Sequence, residues 1–134
     1  MVRTQLSINA SVSSNTAGHK DLGNVNVSVL IDSLNEGGSQ KFLLPAATTD
    51  KLITLDDLAE CRMIFVKTQP RDPNQVPVSI DLKRNADTAE PITITPLATK
   101  TAGVFLLSTE GLTSIYLTNA GTVDMDITML VVGD

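Results

Sequence analysis

From Val2 to Val12 every second residue, Val2, Thr4, Leu6, Ile8, Ala10 and Val12, falls on one face, while Arg3, Gln5, Ser7, Asn9, Ser11 and Ser13 fall on the other. Side chains alternate across a β-strand, so this period of two predicts a strand with one buried and one wet side. The same period returns at Val25, Val27, Val29 and Ile31, at Val76, Val78, Ile80 and Leu82, and at Val123, Met125, Ile127, Met129 and Val131. Short alternating runs with no helix between them require antiparallel pairing and exclude a βαβ sheet. Three Phe, one Tyr and no Trp contribute to an apolar content of 42%. The core must therefore be aliphatic, and β-branched side chains suit a pleated surface.

Turn chemistry divides these runs. Ser13 to Gly23 is a polar loop, and Asn35-Glu36-Gly37-Gly38-Ser39 is a turn leading into a short strand, Lys41 to Leu44, which Pro45 closes. Thr54 to Glu60 is the only helical candidate, a turn or two in which Thr54 would cap and Asp56 and Asp57 would face the helix dipole. Arg62 to Thr68 reads as a strong strand, followed by a proline-punctuated loop from Gln69 to Asn74. Pro77 marks the next run as the beginning of a strand or as a sheet edge. Ile92, Ile94 and Val104 to Leu107 supply two further short strands.

Thr113 to Asn119 and Val123 to Val131, joined through Ala120-Gly121, read as a hairpin. Leu130 and Val132 on the second face imply a final strand that is covered on both sides or lies against another subunit. The expectation is an all-β chain: one antiparallel, jelly-roll-like β-sandwich domain spanning residues 1–134, with about eight or nine strands. Residues 1–13 are its candidate extended strand or arm.

Charge and cysteine content narrow the function. The formal net charge of -5 comes from 15 acidic and 10 basic residues without any run of Lys or Arg. Nucleic-acid binding needs clustered cations or stacked aromatics, so neither DNA nor RNA is expected as a direct partner. Cys61 is the only cysteine, which excludes an intrachain disulfide, and its place beside an apolar strand predicts a buried, inert thiol. The first residues lack an unbroken apolar stretch, so no secretory signal is expected, and synthesis is assigned to a cytoplasm. No run approaches the ~20 apolar residues of a membrane span, and no membrane partner is expected.

Reactive groups are sparse. His19, the only imidazole, sits in a Gly-His-Lys-Asp loop and reads as solvated. A serine or cysteine nucleophile would have no other imidazole base. Cys-x-x-Cys, His-Glu-x-x-His and Gly-x-Ser-x-Gly are absent, which removes the usual zinc and acyl-transfer sites. Asp56-Asp57 with Glu60, and Asp124 with Asp126 on one face of the last strand, are the carboxylate clusters; both read as solvated faces lacking the remaining calcium ligands. Gly37-Gly38-Ser39 is a turn and too short for a phosphate cradle. Asn9-Ala10-Ser11 and Asn26-Val27-Ser28 match the glycosylation pattern without a secretory route. No catalytic, cofactor-binding or metal-ligating residue is assigned, and the chain reads as a non-enzyme.

Two passages, CRMIFVKTQP with VPVSIDLKRN, and GVFLLSTEGLTSIYLTNAGTVDMDITMLVVGD, resemble small virion structural proteins of tailed bacteriophages. The resemblance runs from Cys61 to Asp134; the residues before it add nothing. It implies a jelly-roll or related sandwich in the virion, most directly a capsid decoration or cement protein. The partners it implies are the major capsid protein or other virion subunits, and further copies of the chain, for example as a trimer. The alternative is a tail, neck or fibre module used in host recognition. Contact elements expected from the residues are Met1 to Ser13, Ser14 to Gly23 and Gln69 to Asn74, since an extended terminus can add to a neighbour's sheet edge.

Overall fold

Period-two patterning becomes strand wherever a partner strand can satisfy the backbone. The computed structural model describes residues 2–13, 21–33, 38–55, 58, 61–97 and 102–133. Among them are ten strands and no helix: β1 (Val2–Ser13), β2 (Asp21–Ser33), β3 (Gly38–Leu44), β4 (Thr48–Ile53), β5 (Cys61–Pro70), β6 (Ile80–Arg84), β7 (Ile92–Ile94), β8 (Gly103–Leu112), β9 (Ile115–Asn119) and β10 (Met125–Gly133).

The chain divides into two compact units, Met1–Leu34 and Asn35–Asp134. In the first, β1 and β2 form a two-stranded antiparallel sheet. The register sets apolar positions opposite one another: Leu6 with Val29, Ile8 with Val27 and Ala10 with Val25. Residues Val2–Ser13 are thus paired along their length by the strand that follows them.

The second unit is the expected antiparallel sandwich. Its sheets have the orders β3-β10-β5-β8 and β4-β9-β6-β7. The chain changes sheet at nearly every connection, with only β6 and β7 adjacent both in sequence and in their sheet. Leu44, Ile64, Val66, Met125, Ile127, Met129 and Val131 point inward from the first sheet. Ile53, Ile80, Leu82, Ile94, Ile115 and Leu117 meet them from the second.

Three expectations are corrected. β9 and β10 do not form a hairpin: β9 pairs with β4 and β6, while β10 pairs with β3 and β5. Residues 120–124 are a corner between sheets. Second, β4 was not anticipated. It is an edge strand of mostly polar residues whose register shifts between Thr48 and Lys51, where Asp50 takes φ 46°, so alternation is broken. Third, β6 begins at Ile80 and not at Val76. Of the candidate helix, only Thr54, Leu55 and Leu58 are described, and Leu58 N donates to Leu55 O across 3.3 Å.

The corner is set by Asn119, a fully buried polar residue. Its Nδ2 donates to Leu44 O (3.2 Å), Pro45 O (3.1 Å) and Val123 O (2.9 Å), and its Oδ1 accepts from Gly121 N (3.1 Å). Ala47 N donates to Gly121 O, and Ala46 N to the Asp124 carboxylate, so the β3–β4 and β9–β10 corners are laced together. Gly121 is needed for space, because a Cβ there would stand 2.8 Å from a methyl of Val78.

At the far end of β9, Asn85 performs a similar task. It accepts the left-handed conformation (φ 63°), donates through Nδ2 to Gly111 O at 2.7 Å, and receives Thr113 N on Oδ1 at 2.9 Å. The turn after β6 is thereby fastened to the β8–β9 corner.

Thr68 is also fully buried, yet its Oγ1 has no hydrogen-bond partner. The two buried polar residues should respond in opposite directions. Asn119→Leu strips one buried and three part-buried backbone groups of their partner and should lower stability by about 3 kcal/mol. Thr68→Val replaces an unsatisfied hydroxyl by a methyl of the same shape and should be neutral or raise stability by about 1 kcal/mol. Urea unfolding of both variants checks the pair; equal losses would contradict this account of the corner.

Candidate interaction surface

Several sequence candidates fall outside the described residues: His19, Asp56, Asp57, Glu60, Gly37, and most of the loop from Ser14 to Gly23. Asp124 and Asp126 do not act as a pair. Asp124 precedes β10, and its Oδ1 accepts from Ala46 N at 2.9 Å while its carbonyl accepts from Arg71 N at 3.0 Å. Asp126 lies within β10, on the outer side of the sheet. Among the described residues no three His, Cys, Asp or Glu side chains come together in a way that could hold a metal ion.

Cys61 is fully buried at the start of β5. Its Sγ donates to Met63 O at 3.2 Å and to Val132 O at 3.6 Å. Burial pushes the thiol above its ordinary value of 9.0, because the thiolate loses its hydration there. Nucleophilic or ligating chemistry needs the thiolate, so the environment opposes both.

Strand order and register gather a different feature that single strands do not reveal. On the outer face of the first sheet, pairing places Leu130, Phe65 and Leu106 in one row across β10, β5 and β8. Val104 lies beside this row, opposite Lys67. These residues are 36%, 36%, 44% and 44% exposed for Leu130, Phe65, Leu106 and Val104. Of the seven described large apolar residues with such exposure, these four share one face, and Leu52, Val76 and Leu97 lie elsewhere.

The next row toward the other end of the sheet is Lys41, Thr128 and Lys67, and beyond it come Leu43, Asp126 and Gln69. Here the sheet surface carries an open hollow of about 330 Å³ lined by Lys41, Leu43, Gln69, Arg71, Asp126 and Thr128. Lys51 of β4 sits at the edge of β3, its Nζ 5.4 Å from the centre of the Phe42 ring and 3.3 Å from Leu43 O.

The second sheet presents a different surface. Lys83 Nζ pairs with Asp50 Oδ1 at 2.8 Å and donates to Asp87 O at 2.6 Å. The bond from Lys83 holds the Asp50 carboxyl below its ordinary value, helped by the Thr118 hydroxyl. Thr93 donates to Asp81 at 2.6 Å. A second hollow of about 310 Å³ lies by Arg84, Asn85, Glu90 and Thr109. Asn85, which lines it, is already committed to holding the turn.

No protein-family model matches this chain, and no curated protein matches it either.

The apolar row was partly signalled by the sequence. Leu130 and Val132 stand out of phase on the last strand, and Val104 to Leu107 is an unbroken apolar run. Structure separates the two: Val132 is 3% exposed, whereas Leu130 stays open. Adjacency of β10, β5 and β8 was not readable from either run. Of the loop expected from Gln69 to Asn74, Gln69 and Pro70 belong to β5, and the exposed remainder is braced by Asp72, whose Oδ1 accepts from Asn74 N at 2.9 Å.

The thiol environment gives a direct test. Cys61 should resist a thiol-directed disulfide reagent in the native protein at pH 8 and react at the rate of unfolding. Its raised folded value leaves stability untouched below pH 9.0 and lowers it as pH climbs from there through the folded value, because the unfolded chain ionises first. Cys61→Ala should lack that part of the alkaline decline in denaturation curves. Rapid stoichiometric labelling of the folded protein would contradict the burial argument.

Proposed function

We propose that this protein is a non-enzymatic structural component of a bacteriophage particle, a decoration or cement protein that binds and reinforces the shell. The observation that carries the reading is the strand order of the second unit, β3-β10-β5-β8 facing β4-β9-β6-β7. That order, with the chain passing repeatedly from one sheet to the other, supports reading the sandwich as an eight-stranded jelly roll, an architecture used by viral capsid domains and also by lectins and cupins.

Architecture alone does not assign a task, and the choice among those uses rests on side chains. A cupin needs a cluster of metal ligands, and the described residues supply none. A lectin face draws on aromatic platforms, and the chain has one Tyr and no Trp. A shell-binding subunit needs a rigid body and an exposed face able to bury apolar area. The corners locked by Asn119 and Asn85, and the row Leu130, Phe65 and Leu106, meet those needs. The similarity of Cys61 to Asp134 to small virion proteins of tailed phages supports the same reading. The partners in this reading are the major capsid protein or other virion subunits, and repeated copies gain avidity from the symmetry of the shell.

Quantitative peptide mass spectrometry of purified particles tests the proposal. Copies of this chain should stand to copies of the major shell protein in a ratio near one or a simple fraction of it. A few copies per particle would move the protein to the neck, tail or fibre, and complete absence would end the virion reading.

A further inference from the structure

We propose that the outer face of the first sheet is a docking surface for another protein whose contacting face is apolar at its centre and carries carboxylates at its edge. The centre of this face is the row Leu130, Phe65 and Leu106 with Val104 beside it. At strand spacings near 4.8 Å and side-chain rows near 7 Å apart, the four positions of the apolar spot cover roughly 130 Å² of the sheet. A specific interface needs about 800 Å² on each partner. Apolar burial at the centre therefore supplies only part of the contact, and the surrounding polar rim must supply the rest.

The charge of that rim selects the partner. Lys41 and Lys67 flank Thr128 in the adjoining row, and Arg71 lines the hollow with Lys41. Asp126 is the carboxylate that lines the hollow with them. The whole chain carries a net charge of -5, so a cationic edge here runs against the average of the molecule. Elsewhere the described cations include Lys83, already paired with Asp50. A second copy applied face to face would set the same cationic rim against itself, which costs association energy and slows encounter. A partner with carboxylates around an apolar centre matches both parts of the surface.

This inference deepens the particle reading by naming a face and a partner chemistry, and rests on that reading only for the partner's identity. The test uses the full chain in its producing cells, carrying the photo-crosslinker benzoylphenylalanine in place of Phe65. A second preparation carries it in place of Leu52, which is 52% exposed and paired with Tyr116 on the opposite sheet. Crosslinked peptides are identified by mass spectrometry, and thermal unfolding confirms that every variant is folded.

Position 65 should yield crosslinks to an acidic segment of a different protein and position 52 should not. K41E/K67E should cut that yield at least about tenfold, as should molar salt, because rim charges act through screened attraction. Crosslinks from position 65 to another copy of this chain, no crosslinks at all, or a yield indifferent to K41E/K67E would overturn the docking proposal. If the acidic partner is not a virion protein, the docking surface stands and the particle reading falls. If virion subunits crosslink at position 52 and not at 65, the reverse holds.

Discussion

The passage of the chain from one sheet to the other after β9 depends on one carboxamide. Asn119 lies at the end of β9, fully buried, and serves backbone groups from three places in the chain, at Leu44 and Pro45, at Gly121 and at Val123. Buried backbone groups at a corner cannot turn to water, and each left unpaired costs on the order of 1–3 kcal/mol. A side chain that offers both donors and an acceptor can settle several of these groups at once. Asn is among the few that do so. The corner from β9 to β10 can thus pass between sheets with these groups paired, and β10 enters the first sheet between β3 and β5.

That placement explains the composition of the core. With β10 between two partners, Met125, Ile127, Met129 and Val131 are all fully buried against the second sheet. Two flexible methionines in that row can fill irregular space that stiff β-branched neighbours leave. Phe42 and Phe105 sit at the margins of this core, partly buried, so its centre closes on aliphatic side chains alone. Gly103 illustrates how tight that closure is. It sits opposite Thr68, and a Cβ at its position would stand 2.6 Å from the Thr68 hydroxyl.

Legibility in the sequence followed the same physics. Where a strand is long, alternates cleanly and lies inside a sheet, as β10 does, the period of two located it to within a few residues, and β5 was legible as a dense run of strand-forming residues. β4 escaped because an edge strand has one partner, a bulge at Asp50 and charged residues facing water, which together erase the alternation. The β9–β10 connection was misread for another reason. A short Gly-containing link serves a hairpin and a sheet-to-sheet corner equally well, and the deciding contact, Asn119 to Leu44, spans 75 residues of sequence. The outer apolar row was illegible as a site because Leu130, Phe65 and Leu106 become neighbours only through the order β10-β5-β8.

The contrast between the two outer faces then bears on function. On the second sheet, Lys83 with Asp50 and Thr93 with Asp81 satisfy one another, so that surface has little to gain from a partner. On the first, large apolar groups stay in water beside Lys41 and Lys67, which pair with no carboxylate across the strands. Phe65 and Leu106 keep 36% and 44% of their surface in water, which forgoes about 1 kcal/mol of burial each. A monomer with no use for that face could lose the cost by a single polar substitution on a solvent-facing position, where the core would not feel it. Among the described residues several such side chains share one row with Lys41 and Lys67 in the adjoining row, which is the arrangement that the proposed docking requires.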